Sequence, residues 1–380
     1  MEFHPIANIF PMMTGDDYRA LVQDISDNGI MEPITLYQGQ ILDGRNRWTA
    51  CLELGIDPPQ KEYTGDNPLA YVVSLNLVRR HLSESQRGMI AARMANAPAH
   101  RPESAPIGAL ISQPEAAELM NVSTRTVKSA KQVIEQGTPE LIRAVDAGEM
   151  TVNAAIKEIK KIDRQERRAE LARVGEATPI NQRWNIHQAN INEYQTDKRY
   201  DFIITDPPYP KEYLPLYGVL AKRSAEWLKP GGLLVAMCGQ SYLNEIYELM
   251  GQSLEYYWTA CYLTPGQATA LWQKQVISNW KPVLIYGINR YYGGKIFSDV
   301  YKSDSNDKAL HKWGQSVSGL YSLVRNICLP GQSILDPFCG AGSTGVAALM
   351  HGCLFDGLDI DQESVNITRG RLAEYDSEAQ

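Results

Sequence analysis

The sequence predicts three folded regions: a small α+β domain, an all-α domain, and a C-terminal α/β domain with a mainly parallel sheet. The length of 380 residues exceeds what one hydrophobic core usually organises. Along the chain, short alternating apolar runs give way to helical periodicity, and then to strand-like runs that alternate with helix-like runs. The predicted boundaries are 1–78, 79–162, a linker at 163–183, and 184–380.

The composition is that of an ordinary globular protein, with 44% hydrophobic and 21% charged residues. No apolar run approaches the roughly 20 residues that span a bilayer, and the N-terminus lacks the basic-then-apolar layout of a signal peptide. We therefore expect a cytoplasmic protein without a membrane partner. The six cysteines are dispersed and form no C-x-x-C pair, which argues against a disulfide framework and against a zinc site.

The net charge of −7 is unevenly distributed. Residues 79–183 contain 17 Lys and Arg against 13 Asp and Glu, so the middle of the chain is basic and its ends are acidic. Local charge decides whether phosphates are attracted. A nucleic-acid partner is therefore compatible with the acidic total.

The N-terminal region predicts a small mixed domain. Its stretch MEPITLYQGQILDGRNRWTACLELG, at 31–55, indicates a strand, a turn at Gly39, a second strand, and a helix that opens at Asp43-Gly44.

The all-α region contains two predicted helices in QPEAAELMNVSTRTVKSAKQVIEQG, at 113–137. Ser123 is a suitable N-cap for the second helix. A helix-turn-helix places the first residues of its second helix in the DNA major groove, whereas the alternative is an exposed polar helix face. The basic surroundings favour DNA contact. The predicted DNA-binding residues are Ser123, Thr124, Arg125, Thr126 and Lys128.

The C-terminal region alternates strand-like and helix-like runs. Residues 163–183, which precede it, are rich in charge and poor in large apolar side chains, so they are predicted as a helical or partly flexible linker. The strand-like runs are YDFIIT, GGLLVAMCG, KPVLIYG, QSILD and CLFDGLD. This alternation predicts a sheet covered by helices on both faces, with ligand sites at the carboxyl ends of its strands.

The first motif that carries chemistry, Asp206-Pro207-Pro208-Tyr209, follows the run YDFIIT. The prolines fix the backbone and remove donors, which leaves carbonyls to accept hydrogen bonds. An aromatic amino group that attacks a methyl sulfonium needs acceptors for its two hydrogens. The Asp206 carboxylate and the Pro207 carbonyl are candidates for these acceptors, with Tyr209 stacking on the base. The alternative is a turn without function, since Asp and Pro favour turns.

The second motif lies in SILDPFCGAGSTGVAALMHG, at 333–352, and predicts a strand, a glycine loop and a helix that begins near Ser343. Gly340 and Gly342 allow the backbone to approach a ligand closely. Asp359 ends the next strand-like run, about 20 residues downstream, where a carboxylate can bind ribose hydroxyls. A dinucleotide site is disfavoured because the third glycine of its pattern is missing.

Together, DPPY at 206–209 and DPFCGAGST at 336–344 resemble the catalytic and cofactor motifs of amino-methylating DNA methyltransferases. Their order along the chain is similar to that of the β group of this family. The resemblance covers about 184–375, and it implies a Rossmann-like methyltransferase sheet that binds S-adenosylmethionine. The implied cofactor-binding residues are Asp336, Phe338, Cys339, Gly340, Ala341, Gly342, Ser343, Asp359 and His311.

Three segments depart from the family pattern. The segment that usually reads H-P-T-Q-K-P keeps only its His and Gln, as His311 and Gln315, and Gln188-Ala189-Asn190 replaces the usual G-D-C. These departures concern cofactor affinity rather than the reaction class. The region between KPVLIYG and HKWGQS is also shorter than the usual target-recognition region, so sequence recognition by this domain alone is expected to be weak.

The first residue of the tetrapeptide bears on the base that is methylated. Asp206 is similar to adenine-N6 members, whereas Ser is commoner among cytosine-N4 members. The resemblance therefore implies methyl transfer to the exocyclic N6 of adenine in double-stranded DNA, either site-specific or of low specificity. Cytosine N4 stays the alternative within the enzyme class.

A second resemblance lies in the N-terminal half. DGRNRW at 43–48, SLNLVRRHLSESQ at 74–86 and the following helix-turn-helix are similar to ParB-like DNA-partition proteins. This resemblance implies a cytidine nucleotide as ligand, whereas a docking fold without nucleotide is the alternative. The residues that match its boxes are Gly44, Arg45, Arg47, Asn76, Arg79 and Arg80.

A function from a different class is a nucleotide-switched, ParB-like DNA clamp whose methyltransferase domain is vestigial. The intact motifs at 206–209 and 336–343 argue against such decay. The sequence leaves a homodimer open.

One further stretch, YYWTACYLTPGQATALWQKQVISNW at 256–280, is predicted as a candidate DNA-facing loop. For Trp258 and Trp272, partial packing in the core is the more common role of this residue type.

Overall fold

The computed structural model describes residues 1–13, 15–79, 82–95, 111–179, 181–264, 269–288, 294–304 and 316–378. The chain forms two compact units, Met1–Ile162 and Asp163–Gln380. Across these described ranges, every helix is too short or too polar to cross a membrane.

The N-terminal unit combines a three-stranded sheet with helices. In chain order its elements are α1 (Gly15–Asn28), β1 (Ile34–Tyr37), β2 (Gln40–Asp43), α2 (Arg45–Leu54), β3 (Gln60–Glu62), α3 (Pro68–Arg79), α4 (Glu84–Ala95), α5 (Gln113–Leu119), α6 (Thr124–Gln136) and α7 (Pro139–Ala147). Strand β1 is antiparallel to β2 and parallel to β3. The predicted hairpin turn is present, because Gln38 and Gly39 both have the positive φ of a two-residue turn. Leu42 of β2 and Val133 of α6 belong to one hydrophobic cluster, so the first two predicted regions share a core.

Helices α5 and α6 both begin at side-chain caps, and the cap of α6 is the Ser123 that the sequence predicts. The Glu115 carboxylate accepts a hydrogen bond from the Ser112 backbone N–H at 2.6 Å, and the Ser112 hydroxyl accepts one from the Glu115 N–H, which forms a capping box. At the start of α6, Ser123 Oγ accepts from the Thr126 N–H at 3.0 Å. The buried face of α6 consists of Val127, Ala130 and Val133, so its polar residues lie on the opposite face.

The C-terminal unit contains an eight-stranded sheet. After α8 (Val152–Ala177), in chain order, its elements are β4 (Trp184–Gln188), β5 (Tyr200–Thr205), α9 (Leu214–Trp227), β6 (Leu228–Met237), α10 (Leu243–Gly251), β7 (Glu255–Leu263), β8 (Thr269–Leu271), β9 (Val276–Ser278), β10 (Trp280–Gly287), β11 (Val300–Lys302), α11 (Val317–Ile327), β12 (Ser333–Asp336), α12 (Ser343–Met350), β13 (Leu354–Asp359) and α13 (Gln362–Glu378). The strand order is β11-β7-β10-β6-β5-β12-β13-β4. Only β10 runs antiparallel to its neighbours in this sheet as described, so the sheet is mainly parallel, as predicted.

The continuous apolar run of β5 follows from burial on both faces of the sheet. Phe202 and Ile204 pack in one hydrophobic cluster with residues of α11 and α12, whereas Ile203 packs in another with residues of α9. A strand covered by helices on both sides has no solvent-facing position, and its sequence therefore shows no polar alternation.

The strand order creates a switch point between β5 and β12. From β5 the chain crosses through α9 to β6, and from β12 it crosses through α12 to β13, on the other side. Crossovers that leave in opposite directions open a crevice at the carboxyl ends of the two central strands. Asp206 directly follows β5, and Asp336 is the last residue of β12.

The stretch 256–280 differs from its prediction as a loop. Most of its first part belongs to strand β7, which is antiparallel to β10, so the loop prediction is wrong there. The Trp258 side chain is 50% exposed on this strand, and Trp272 is 86% exposed beyond it. Core packing therefore does not explain Trp272.

Most of the predicted linker at 163–183 belongs to helix α8. Residues 163–177 are regular helix, and Leu171 is fully buried. A Cβ added at Gly175 would lie 1.8 Å from Asn366 O, and one added at Gly370 would lie 2.0 Å from Leu171 O. The C-terminal part of α8 and helix α13 therefore pack backbone against backbone.

We expect Gly370→Ala to destabilise the C-terminal unit by about 3 kcal/mol, because the added Cβ would overlap backbone atoms of a packed helix. The matched change Gly251→Ala, at the exposed end of α10, places its Cβ where no atom lies within 4 Å. This control is expected to be neutral or slightly stabilising. Thermal denaturation followed by circular dichroism compares the two variants, and equal midpoints would contradict the close helix packing.

Candidate active site

A cavity of about 860 Å³ lies at the carboxyl ends of β5 and β12. The switch point of the sheet therefore carries a site large enough for a nucleoside-sized ligand. Its lining consists of Asn190, Ile191, Asn192, Asp206, Pro207, Pro208, Tyr209, Pro210, Glu212, Tyr213, Leu216, Lys281, Pro337, Phe338, Gly340, Asp359, Ile360, Asp361 and Ser364.

A buried hydrogen bond joins the two central strands beneath this cavity. Thr205 Oγ1 donates to Asp336 Oδ1 at 2.6 Å, and the Phe338 N–H donates to the same oxygen at 3.0 Å. Asp336 is only 2% exposed. Burial raises the pKa of Asp336 to about 6, against the opposing effect of these hydrogen bonds and of one from Thr344. The carboxyl group fixes the turn after β12 without lining the cavity.

The tetrapeptide after β5 is held by its own side chains. The Tyr209 hydroxyl donates a hydrogen bond to Asp206 Oδ1. Burial, and then the nearby Asp206 carboxylate, raise the pKa of Tyr209 well above its usual value, so the phenol keeps its proton. The Lys281 ammonium lies 5.4 Å from the centroid of the Tyr209 ring, which is within cation–π range.

The glycine loop after β12 takes conformations that exclude most side chains. Gly340 has a φ of 52° and Gly342 one of 77°. A Cβ on Gly342 would lie 2.7 Å from Thr368 Cγ2, whereas a Cβ on Gly340 would meet no atom within 4 Å. Thr368 Oγ1 also donates to Gly340 O at 2.7 Å. Gly342 therefore provides close packing against α13, and Gly340 keeps the backbone open toward the cavity.

Asp359 connects the glycine loop to the end of β13. Its Oδ2 accepts from the Gly340 N–H at 2.9 Å, and its Oδ1 accepts from the Asp361 N–H at 2.9 Å. Its neighbour Ile360 is 70% exposed and lines the same cavity, as does Phe338. A carboxylate beside apolar side chains suits a ligand that combines hydroxyl groups with a flat apolar ring. The acceptor and the apolar side chains of this lining therefore fit a nucleoside.

The predicted residues divide into those that line the cavity and those that support it. The tetrapeptide, Phe338, Gly340 and Asp359 line it. The other loop residues lie outside this lining: Asp336, Cys339 and Ala341 are buried, Gly342 is the N-cap of α12, and Ser343 Oγ accepts from Arg371 at 3.1 Å. His311 lies outside the described residues.

Several functional side chains have no counterpart in the predicted set. Asn190, Asn192, Lys281 and Ile360 line the cavity, and Thr205 supports it. The signal for Asn190 was present in the segment that departs from the usual G-D-C. Lys281 opens the strand-like run KPVLIYG, but its approach to Tyr209 depends on the antiparallel direction of β10.

The N-terminal unit has a separate cavity of about 1160 Å³. Gly44, Arg45, Arg47 and Asn76 are among its lining residues, so the structure brings together four of the residues predicted for a nucleotide. The Arg79 side chain and Arg80 lie outside the described part of the chain.

Arg45 and Arg47, which line this cavity, already have partners within the chain. Arg45 donates to Asn8 Oδ1 at 2.7 Å and to the Phe10 carbonyl. Arg47 lies 3.1 Å from the Asp43 carboxylate. An anionic ligand there would have to compete with these contacts.

The five residues predicted to bind DNA on α6 have different surroundings. Thr124, Arg125 and Lys128 are exposed. The Ser123 hydroxyl is exposed but serves as the helix cap. Thr126 faces α4 instead, because its hydroxyl donates to Glu84 Oε1 at 3.1 Å. The exposed part of this set is therefore smaller than the sequence indicates.

By fold and site, the C-terminal unit belongs to the class of open α/β domains that bind a ligand at a topological switch point. Residues 268–369, within this unit, match the DNA methylase family N6_N4_Mtase. The chain is 25% identical over 197 residues to the Escherichia coli (strain K12) protein named "Putative methylase YubD", which covers 46% of this chain and 82% of that protein. It is 33% identical over 118 residues to the Type II methyltransferase M2.DpnII of Streptococcus pneumoniae, covering 29% of this chain and 44% of the relative. Part of the C-terminal unit is thus similar to DNA methylases.

Two solved structures align with about half of the chain. The crystal structure of the M1.HpyAVI-SAM complex aligns with a TM-score of 0.43 at 20% identity, covering 50% of this chain and 98% of that one. The PvuII DNA methyltransferase (cytosine-N4-specific) aligns with a TM-score of 0.42 at 12% identity, covering 52% and 93% of the two chains.

The raised pKa of Asp336 predicts a distinctive pH dependence of stability. Its pKa of about 6 in the folded state exceeds the usual 3.8, so between these values the folded state binds more protons than the unfolded state. The free energy of unfolding therefore falls as pH rises through this window and levels off above it. Asp336→Asn has no proton to lose, so we expect its stability relative to the wild type to rise by on the order of 3 kcal/mol from pH 4 to pH 7.

Chemical denaturation of wild type and Asp336→Asn at several pH values measures this difference. The subtraction removes the contribution of the other carboxyl groups, which both proteins share. A difference between the two proteins that stays constant with pH would contradict the assignment.

Proposed function

We propose that the chain is a DNA methyltransferase that transfers the methyl group of S-adenosylmethionine to the exocyclic N6 of adenine. The observation that carries this proposal is the hydrogen bond between Thr205 and Asp336 at 2.6 Å. It holds the tetrapeptide Asp206–Tyr209 and the glycine loop at one cavity, where a methyl acceptor and a methyl donor can meet.

In this proposal the glycine loop and the end of β13 hold the cofactor. Gly340 leaves room for close approach, the Asp359 carboxylate is placed to accept from ribose hydroxyls, and the side chains of Phe338 and Ile360 form an apolar wall for the adenine ring. When bound there, S-adenosylmethionine supplies an electrophilic methyl group on its sulfonium. Asp336 positions the loop from below through the Phe338 N–H.

The tetrapeptide receives the target base. The amino group of adenine needs two acceptors, and the Asp206 carboxylate and the Pro207 carbonyl are the groups we assign to that role. The Tyr209 hydroxyl orients Asp206, and its ring offers a stacking surface. A base paired within a duplex cannot reach a cavity of this kind, so the proposal includes extrusion of the adenine from the helix.

Cytosine N4 is the second candidate target, because its amino group makes the same demand for two acceptors. The proposal of adenine rests on Asp206 at the first position of the tetrapeptide. Nucleoside analysis of methylated DNA distinguishes the two products. If the product is N4-methylcytosine instead of N6-methyladenine, the same mechanism acts on cytosine.

For the N-terminal unit we propose contact with double-stranded DNA through α6. Thr124, Arg125 and Lys128 are exposed near the start of this helix, the position from which a helix-turn-helix reads the major groove. The proposal of a ParB-like region with a cytidine nucleotide rests on the cavity that Gly44, Arg45, Arg47 and Asn76 share. Calorimetry with a cytidine nucleotide and with S-adenosylmethionine distinguishes the enzyme from a nucleotide-switched clamp. The clamp would bind the cytidine nucleotide and not S-adenosylmethionine.

The reaction itself predicts the effect of Asp206→Ala. Transfer of labelled methyl groups to unmethylated duplex DNA is expected to fall about a thousandfold or more, since the amino group loses an acceptor in the transition state. Calorimetric binding of S-adenosylmethionine should change little. Asp197→Ala, which removes an exposed carboxylate from the loop before β5, is the control and should retain full transfer.

The absence of transfer by the wild type would overturn the proposed function. Undiminished transfer by Asp206→Ala would overturn the role of the tetrapeptide.

The cofactor assignment predicts a loss of affinity in Asp359→Asn. The amide has one acceptor where the carboxylate has two, so either the Gly340 N–H, the Asp361 N–H or the ribose loses a partner. We expect binding of S-adenosylmethionine to weaken about tenfold to a hundredfold by calorimetry. Glu248→Gln, an exposed carboxylate on α10, makes the same chemical change away from the cavity and should bind as the wild type does. Equal affinities of the two variants would contradict the assignment.

A further inference from the structure

A small hairpin without a buried face projects between β7 and β10. Strands β8 and β9 pair antiparallel, and the turn between them contains Trp272 and ends at Gln275, which has a φ of 53°. We refer to residues 269–278 as the tip hairpin. Its apolar side chains face solvent: Trp272 is 86% exposed, Ile277 63% and Val276 49%. An isolated two-stranded hairpin is only marginally stable, and exposed apolar clusters mark binding surfaces.

The tip hairpin starts from the edge of the sheet that carries the candidate active site. Trp280 pairs with Leu263, so the segment between them leaves the sheet at the carboxyl end of β7. Lys281, the second residue of β10, lies over the Tyr209 ring. The tip hairpin therefore ends three residues before a contact with the tetrapeptide.

The loop after β6 also links the tip hairpin to the site. Lys274 Nζ donates to the Ser241 carbonyl at 2.9 Å, and Ser278 Oγ donates to Gln240 Oε1 at 3.1 Å. A Cβ on the adjoining Gly239 would lie 3.6 Å from Tyr209 Cβ. One short loop thus contacts both the hairpin and the tetrapeptide, which fixes the hairpin beside the mouth of the cavity.

The charge of the surrounding segment favours an anionic partner. From Tyr256 to Ser298 the sequence contains no Asp or Glu. Lys274 lies within the tip hairpin and Lys281 follows it closely, whereas Arg290 and Lys295 come after the opposite end of β10. This segment is positive in a chain whose net charge is −7. Local positive charge next to exposed aromatic and aliphatic side chains matches a polyanion whose interior is a stack of flat apolar rings.

We propose that the tip hairpin enters duplex DNA and that Trp272 occupies the space in the base stack that the target base leaves. The inference rests on the proposed methyl transfer to DNA. In it, Trp272 is the group that lowers the free energy of extruding the target base. An indole in the gap restores stacking to both neighbouring bases, and Lys274 and Lys281 lie beside the phosphates. Trp272 then acts as a positioning residue, because it contacts the DNA without contacting the reacting atoms.

The test compares wild type, Trp272→Ala, Trp272→Phe and Trp258→Ala in the full-length chain. Trp258 is the matched control, since it is also an exposed tryptophan of the same unit. It lies on strand β7 instead of the tip hairpin, and its indole N–H donates to Asp299. Fluorescence anisotropy measures binding to a fluorescein-labelled duplex of mixed sequence. Methyl transfer is measured on unmethylated genomic DNA, both as duplex and after heat denaturation.

We expect Trp272→Ala to weaken duplex binding and to lower kcat/KM on duplex DNA, each by about tenfold or more. The loss on denatured DNA should be much smaller, because a single-stranded base requires no opening of a paired stack. Trp272→Phe should recover most of the activity, and Trp258→Ala should match the wild type.

The proposal is overturned if Trp272→Ala binds the duplex as the wild type does, or if transfer falls by the same factor on duplex and denatured DNA, which indicates a structural role. It is also overturned if the variant converts a dimer to a monomer in ultracentrifugation, since the hairpin then covers a second copy. If the wild type transfers no methyl group, the proposed function fails, and the anisotropy comparison alone decides whether the tip hairpin contacts DNA.

Discussion

The hydrogen bond from Thr205 to Asp336 joins two positions that are 131 residues apart, and the candidate site depends on it. Thr205 is the last residue of β5 and precedes the tetrapeptide, while Asp336 is the last residue of β12 and precedes the glycine loop. The two strands are paired parallel neighbours, so the groups assigned to the acceptor base and those assigned to the cofactor follow adjacent strand ends, and this contact joins those ends. The Asp336 carboxyl group is fully buried at this contact, and its burial raises its pKa.

The distribution of charge is consistent with more than one DNA contact. An acidic protein repels a polyanion at long range, so each contact surface needs locally positive charge. One such region is 79–183, which contains α6, and another is the acid-free segment around the tip hairpin. We propose that the first region binds the duplex and that the second separates its stacked bases beside the site.

Much of the C-terminal fold could be predicted because its central strands are buried on both faces. Strands β5, β6 and β12 contain the continuous apolar runs FII, LLVAM and IL, which are typical of a parallel sheet between helices. The sequence predicts a loop at strand β7, because only some residues of this strand are buried and Thr264 and Pro265 follow it directly. The antiparallel direction of β10, which brings Lys281 to Tyr209, depends on pairing with β6 and has no local signal.

The sequence by itself determined the chemistry at each strand end: a carboxylate and prolines after β5, glycines after β12, and a carboxylate at the end of β13. It also determined the cap Ser123, since capping and turn preferences act over a few residues. Only the tertiary structure decided that these ends share one cavity, that Asp336 supports the loop from below, and that Thr126 faces α4. Such arrangements arise from strand order and from contacts between distant segments, which local preferences do not encode.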